Sequence, residues 1–159
     1  MLCLFLFSLN DKEKIDKSTA TIYNKRFTEK IDIELEVVQT PRSLAIGLMG
    51  RKHLPNNTGM LFMYDEERSI DKGFWMYQTK IPLDIAFLNR SGKILSIKQM
   101  KPCLLKKPEK CPLTYSEHPY YYAVEMNYDF FNQNNIIVGD NIKLKTLHIT
   151  ENNDIIRNQ

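Results

Sequence analysis

Two acidic residues, Asp84 and Glu125, stand in the middle of apolar stretches that have the composition of β-strands. If both carboxyl groups point inward about 5–9 Å apart, they could serve as acid and base, or as nucleophile and acid. Strand alternation could instead turn both side chains toward solvent. A third interpretation is a structural ion pair between Asp84 and Arg51 or Arg42. Because structural ion pairs outnumber catalytic ones, the sequence favours this third interpretation and leaves an enzymatic role as the alternative.

A second group of side chains has the chemistry of a binding surface rather than that of a reaction. Trp75 and Tyr115 offer aromatic faces, and Arg51 and Thr79 offer polar groups beside them. Aromatic rings with a polar rim suit sugar or peptide ligands, although strand aromatics more often pack in a core. No catalytic residue is assigned. The candidate ligand-binding residues are Arg51, Trp75, Thr79, Asp84, Tyr115 and Glu125.

Cys103 and Cys111 stand in a proline-bearing loop, with seven residues between them. In an exported protein such an even pair predicts a disulfide, which stabilises a fold by about 2–3 kcal/mol. Free thiols are the second interpretation. A metal site with His118 is the third, and zinc would need further ligands at tighter spacing. We therefore expect a disulfide, no metal and no cofactor.

Most of the chain has the pattern of short strands joined by turns. Residues 31–38 alternate between apolar and charged side chains, which predicts a half-buried strand. Thr40 and Pro41 have the chemistry of a helix start, and the helix should end near Met49. Further strands are predicted over residues 60–64, 74–78, 83–88, 94–100, 120–126 and 142–149, with a second short helix over 128–134 and loops over 65–72 and 102–119.

This succession predicts an α+β domain dominated by β-structure. Seven strands with two short helices indicate a mainly antiparallel, curled sheet or a small β-barrel-like domain, because curling protects the sheet edges. A chain of 159 residues suits one domain. We assign residues 31–150 to this domain, residues 1–30 to an apolar leader with a polar tether, and residues 151–159 to a polar tail.

Charge and apolar patterning limit the partners of the protein. The net charge of +3 is far below that of a typical nucleic-acid-binding protein, so no nucleic acid is expected. The first nine residues, MLCLFLFSL, are almost wholly apolar but too few to span a bilayer. They have the character of the apolar part of a secretory signal, without the basic segment that should precede it. The sequence thus favours a periplasmic or extracellular protein with no stable membrane span, and a cytoplasmic protein is the alternative.

Four sequence segments carry a resemblance to a known family. They are, in chain order, GLMGRKHLPNNTGMLFMY, FWMYQTKIPLDIAFLNRSGKI, YAVEM and IIVGDNIKL, and the pair Cys103 and Cys111 precedes the third of them. Together they resemble domain-of-unknown-function family 192, a set of small bacterial and archaeal proteins that often carry a secretion signal. The resemblance covers about residues 31–144. It implies a compact β-barrel-like domain and frequent export, and it implies no reaction, because none is established for the family.

Three functions are compatible with these features. The favoured one is a monomeric exported module that binds a small ligand or assists an envelope protein without chemistry of its own. The second is a hydrolase or lyase that uses Asp84 or Glu125, and the third is a purely structural or interaction module. A pocket that holds both carboxyl groups within about 9 Å would favour the enzyme, whereas an aromatic groove without paired acids would favour binding.

Overall fold

One large sheet, a two-stranded ribbon and three short helical segments make up the fold in a computed structural model, which describes residues 16–26 and 29–148. The strands of the sheet are β1 (Asp16–Tyr23), β2 (Lys30–Val38), β3 (Thr58–Arg68), β5 (Leu83–Leu88), β6 (Ile94–Met100), β8 (Tyr120–Asn127) and β9 (Asn141–His148). The ribbon joins β4 (Phe74–Trp75) to β7 (Leu113–Thr114), and the helices are α1 (Pro41–Ile46), α2 (Phe130–Gln133) and a 3₁₀ turn at Pro108–Lys110. None of the helices in these ranges has the length and apolar character that a membrane crossing needs.

The strand order in the large sheet is β6-β5-β8-β3-β2-β1-β9. Neighbouring strands are antiparallel except β2 and β3, which run parallel with Leu35 beside Gly59. The segment that contains α1 connects this pair, because parallel neighbours need a crossover connection. The prediction of a β-dominated fold with a mainly antiparallel sheet is therefore confirmed. The sheet is mixed, however, because it contains one parallel pair of strands. Alternation of apolar residues indicates which side of a strand is buried, but it does not indicate the direction of the neighbouring strand.

The sheet curls into a half-barrel, and the turn between β5 and β6 helps to hold the curl. The backbone N–H of Ile142 in β9 donates to the carbonyl oxygen of Gly92 over 2.9 Å, and the N–H of Ile94 donates to the carbonyl oxygen of Asp140 over 2.9 Å. Gly92 has a φ of 82°, and a Cβ there would lie 2.3 Å from the carbonyl oxygen of Ile142. Glycine is required because the two backbones approach so closely.

Both faces of the sheet bury apolar side chains. The inner face collects residues from all seven strands and packs against Phe130 and Phe131 of α2. The outer face is covered by α1, the β4–β7 ribbon and the loop that holds Cys103 and Cys111. Strand β5 is buried along its whole length because both faces are covered.

The first strand corrects the predicted domain boundary. Residues 1–30 were expected to be a leader and a tether, but β1 lies between β2 and β9 in the sheet. Ala20 and Ile22 of β1 are completely buried on the inner face. The strand is short of large apolar residues, and its threonines, which suit strands, make the segment look like a polar linker. The predicted leader at residues 1–9 and the predicted tail at 151–159 lie outside the described residues.

Other element boundaries differ from the predicted ones. Helix α1 ends at Ile46 rather than near Met49, because Gly47 has a φ of 48° and leaves the helical conformation. Strand β3 continues to Arg68, where a loop was predicted over 65–72. Strand β4 is only two residues long, since its partner is the two-residue β7 within the predicted loop over 102–119. Helix α2 is confined to four residues after Asp129, whose φ of 65° stops it from starting earlier.

Candidate functional site

A cavity of about 510 Å³ lies on the outer face of the sheet, between α1 and β4. This size falls within the range of small-molecule sites, roughly 300–1,000 Å³. Helix α1 and the residues that follow it form one wall, β3 and β8 form the floor, and the β4–β7 ribbon forms the opposite wall. The lining residues are Pro41, Leu44, Ala45, Ile46, Gly47, Leu48, Met49, Phe62, Tyr64, Arg68, Gly73, Phe74, Trp75, Thr79, Leu113 and Glu125.

The approach of α1 to the floor depends on Gly47. Its φ of 48° turns the chain at the end of α1, and a Cβ at this position would lie 3.1 Å from the ring atom Cζ of Phe62. A side chain would therefore meet both strain and crowding. The turn brings Leu48 into the outer core, where it is 2% exposed, and it leaves the helix as one wall of the cavity.

Glu125 is the acidic residue of the lining. It lies on β8 beside Met60 of β3 and Ile85 of β5, which are buried on the outer face. The residue is 4% exposed, and no described residue forms a hydrogen bond or an ion pair with its carboxyl group. Burial raises the pKa of Glu125 to about 8, because removal from water disfavours the charged form. At neutral pH the carboxyl group is therefore largely protonated and can donate a hydrogen bond.

Arg68 places a cation in the same cavity. Its guanidinium carbon lies 4.4 Å from the centre of the Tyr64 ring, in a cation–π contact. The Nε atom is buried and has no hydrogen-bond partner among the described residues. Burial raises the pKa of Tyr64 and the pKa of Tyr120, although the charge of Arg68 opposes both shifts, so the two phenols are neutral. The Tyr120 hydroxyl donates to the carbonyl oxygen of Lys72 over 2.9 Å.

Trp75 and Thr79 occupy the ribbon side of the cavity. Trp75 is 40% exposed and lies with its ring 5.9 Å from the ring of Tyr77, centre to centre. Thr79 is buried, and its backbone N–H donates to the carbonyl oxygen of Met76 over 3.0 Å. Both residues line the cavity, Trp75 as an exposed residue and Thr79 as a buried one.

The disulfide loop supports this wall. Cys103 and Cys111 lie at disulfide distance and are bonded, with their Cα atoms 5.9 Å apart. The N–H of Gln78 donates to the carbonyl oxygen of Cys103 over 2.9 Å, and the N–H of Cys103 donates to that of Met76 over 3.2 Å. The loop is thus hydrogen-bonded to the segment between Trp75 and Thr79, so it holds two lining residues in position.

Asp84 lies on the opposite face of the sheet from the cavity. In the β5–β8 register it is beside Met126, a residue of the inner core. Its carboxylate accepts hydrogen bonds from the backbone N–H groups of Asp129 over 3.0 Å and of Phe131 over 3.3 Å. Burial raises the pKa of Asp84, and these backbone donors oppose the rise. Asp84 therefore anchors the chain at the start of α2.

The prediction of an ion pair between Asp84 and Arg51 or Arg42 is wrong. Arg51 instead forms an ion pair with Glu36 on β2, in a separate surface groove. Asp84 is 2% exposed, so the solvent-facing interpretation is also wrong for this residue. Because Asp84 and Glu125 project from opposite faces of the sheet, they do not form the pair of carboxyl groups that a two-acid mechanism needs.

Of the candidate ligand-binding residues, the structure brings Trp75, Thr79 and Glu125 together. Tyr115 is exposed and lies beside the cavity. Its ring is close to the lining residue Gly73, since a Cβ on Gly73 would lie 2.8 Å from the Cε1 atom of Tyr115. Arg51 and Asp84 lie elsewhere. Arg68, Tyr64, Phe74 and the wall formed by α1 are parts of the cavity that the sequence does not predict. No local sequence signal identifies Arg68, because it follows three acidic residues and the β3–β8 register shifts between Met63 and Arg68.

Solved structures and one family share this fold. A Sinorhizobium meliloti protein named as a candidate transcription regulator is 24% identical, with a TM-score of 0.74 over 82% of this chain and 95% of its own. A Novosphingobium aromaticivorans protein of unknown function is 22% identical, with a TM-score of 0.67 over 86% of this chain and 91% of its own. At these identities the likeness concerns the fold alone. No curated protein is significantly similar to this chain. Residues 23–144 match the family DUF192, described as "Uncharacterized ACR", and the chain therefore belongs to that family.

Proposed function

We propose that this protein is a non-catalytic, monomeric binding module that holds a small ligand in the cavity between α1 and β4. The observation that carries the proposal is Glu125, a residue that is 4% exposed and lines the cavity, and whose carboxyl group has no partner among the described residues. A buried polar group without a hydrogen bond costs roughly 1–3 kcal/mol. A ligand that forms that hydrogen bond offsets the cost, which is a physical reason for such a group to face a cavity.

The other lining residues suit the same role. Leu44, Leu48, Phe62 and Phe74 offer apolar surface, and Arg68 and Thr79 offer a few polar groups. Small-molecule sites commonly combine apolar walls with a small number of oriented polar groups. Trp75 is a lining residue that is also exposed, so an aromatic face is available to a ligand in the cavity.

We further propose that the module acts outside the cytoplasm. The disulfide between Cys103 and Cys111 supports this part of the proposal, since structural disulfides persist in oxidising compartments. The apolar run at the start of the sequence agrees with export. In such a compartment the protein would deliver or retain its ligand, or assist an envelope protein.

A thermal-shift screen of sugars, peptides, carboxylic acids and amines tests the binding role. A ligand at 100 times its dissociation constant adds about 2.7 kcal/mol to the free energy of unfolding, which gives a measurable rise in melting temperature. Ala45→Trp fills the cavity from the exposed α1 wall, and Arg42→Trp adds the same ring to α1 outside the lining. We expect the ligand-induced shift in the wild type and in Arg42→Trp, and its loss in Ala45→Trp. A screen in which no compound class shifts the wild type would overturn the proposal.

A second candidate is an enzyme that uses Glu125 alone as general acid or base. A pKa of about 8 beside an open cavity favours proton transfer near neutral pH. The hydrolase or lyase expected from two carboxyl groups is not supported by the position of Asp84. Incubation of each screened compound with the protein, followed by mass spectrometry, tests this candidate. Product that forms with the wild type but not with Glu125→Gln would favour the enzyme over the binding module.

A further inference from the structure

Arg68 gives the cavity a positive charge that no described carboxylate balances. The Nε atom of Arg68 is buried without a hydrogen-bond partner among the described residues, and the guanidinium group stacks on Tyr64. The described ion pairs engage other cations, such as Lys72, which contacts Asp71. The residue as a whole is half-buried and lines the cavity. A partly buried guanidinium group without a counter-ion there is complementary to an anionic group on the occupant.

Glu125 does not supply the missing negative charge. It is not within ion-pair distance of Arg68, and its pKa of about 8 keeps it mostly protonated at neutral pH. The cavity therefore offers one fixed cation and one neutral carboxyl group that can donate a hydrogen bond. The complementary ligand has one anionic group and one hydrogen-bond acceptor.

The number of basic groups limits the kind of anion. Arg68 is the single basic residue among the described lining residues. A dianionic phosphate is usually held by several basic groups or by backbone N–H groups at a helix start, whereas one planar guanidinium matches a carboxylate through two parallel hydrogen bonds. The geometry thus favours a monoanion. The apolar walls of the cavity further indicate that the rest of the ligand is apolar.

We propose that the ligand is an amphipathic carboxylate with a carbonyl group near its acidic end, an inference that rests on the proposed function. Its carboxylate pairs with Arg68, its carbonyl oxygen accepts a hydrogen bond from Glu125, and its apolar chain lies against Phe62, Phe74 and α1. N-acylated amino acids have this combination of groups. The indole of Trp75 covers the end of the ligand that stays nearest to solvent.

A matched ligand pair tests this assignment with the unmodified protein. N-decanoylglycine carries the carboxylate, the carbonyl and the chain, and its carboxamide analogue differs only by the lost charge. By isothermal titration calorimetry at neutral pH, we expect the carboxylate to bind at least about 10-fold more tightly, as a charge-assisted hydrogen bond would give. Arg68→Gln should remove most of this preference. Lys72→Gln, which removes an exposed cation outside the cavity lining, should keep it.

The outcomes separate the ligand class from the binding role. Equal affinity for the carboxylate and the carboxamide, or a preference for decylammonium, would overturn the carboxylate assignment and leave a binding module in place. A preference that survives Arg68→Gln in a folded variant would also overturn it. If neither these compounds nor any other class in the thermal-shift screen binds, the binding role itself fails.

Discussion

Glu125 makes the stability of the protein depend on pH in an unusual direction. Most ion-paired or hydrogen-bonded carboxyl groups have a lowered pKa and lose their contribution to stability in acid. The pKa of Glu125 is raised from 4.5 to about 8, so between these two values the folded state holds a proton that the unfolded state has released. The free energy of unfolding attributable to this residue is therefore highest below about pH 4.5, falls as pH rises through this window, and is constant above about pH 8.

Glu125→Gln should remove this pH dependence, because the amide is a neutral isostere of the protonated carboxyl group. One unit of pKa shift corresponds to about 1.4 kcal/mol. We therefore expect the variant to be more stable than the wild type at about pH 9, by on the order of 4 kcal/mol, and similar to it at about pH 5. Urea unfolding of both proteins at the two pH values measures the difference.

The matched control is Glu67→Gln, which changes an exposed glutamate on β3. Its stability difference from the wild type should stay within about 0.5 kcal/mol at both pH values. Should Glu125→Gln behave like this control, the carboxyl group is ionised in the folded protein and the hydrogen-bond donor assigned to it does not exist.

Sequence patterns predict only some of the side chains that line the cavity. Glu125 and Thr79 are polar residues in apolar surroundings, and that contrast identifies them without a structure. Arg68 follows three acidic residues, so local composition indicates a solvated surface. Its half-buried position depends on Tyr64 and Tyr120, which meet it only in the folded sheet. The direction of the Asp84 side chain cannot be predicted from the sequence, because β5 is buried on both faces and has no alternation of apolar and polar residues.

The disulfide loop links the stability of the fold to the shape of the cavity. Cys103 and Cys111 are eight positions apart, so their bond closes a short loop. The backbone of Cys103 is hydrogen-bonded to the segment between Trp75 and Thr79. Loss of the disulfide should therefore have two effects. It should destabilise the fold by allowing the unfolded chain more conformations, and it should make one wall of the cavity less ordered.

Replacement of both cysteines by serine should lower the free energy of unfolding by about 2–3 kcal/mol. Ligands found in the thermal-shift screen should also bind more weakly, because the wall must then be ordered on binding. Urea unfolding and calorimetric titration measure the two effects. Unchanged ligand affinity in the folded double variant would show that the loop does not hold the wall.

The strand pattern of the sheet was largely readable from the sequence, whereas the elements around the cavity were not. The segment of β2 alternates between apolar and charged residues, and those of β6 and β8 are rich in aromatic and β-branched residues, so all three can be identified as strands. The ribbon is different, because β4 and β7 have two residues each and exist through their pairing with one another. Helix α1 was recognised from its Thr40 cap, and Ser43 N–H does donate to the Thr40 Oγ1 over 3.1 Å. Its position over the outer face depends on the crossover, which local patterns do not encode.

Taken as a whole, the sheet depends on a strand that lies almost wholly outside the segment matched to the family. The match begins at residue 23, and β1 covers Asp16–Tyr23. This strand separates β2 from β9 and pairs with both. Without it, two strand edges would be unpaired, and such edges favour association with other chains.

Ile22→Asp tests whether β1 belongs to the core. Ile22 is completely buried among inner-face residues, and a buried unpaired charge is strongly destabilising, so we expect a loss of more than about 3 kcal/mol and aggregation on size-exclusion chromatography. Lys17→Asp alters an exposed residue of the same strand and should leave the elution volume of the protein unchanged. If β1 were only a tether, the two variants would behave alike.

The pairing of β1 with β9 also bears on when the protein can reach its native state during synthesis. Lys17 is the partner of His148, and β9 also contacts the Gly92 turn. The ribosome releases the two partners of the β1–β9 pair far apart in time, so an emerging chain carries an incomplete sheet until translation has passed β9. A newly made molecule can therefore close its half-barrel only after β9 has left the ribosome and paired with β1.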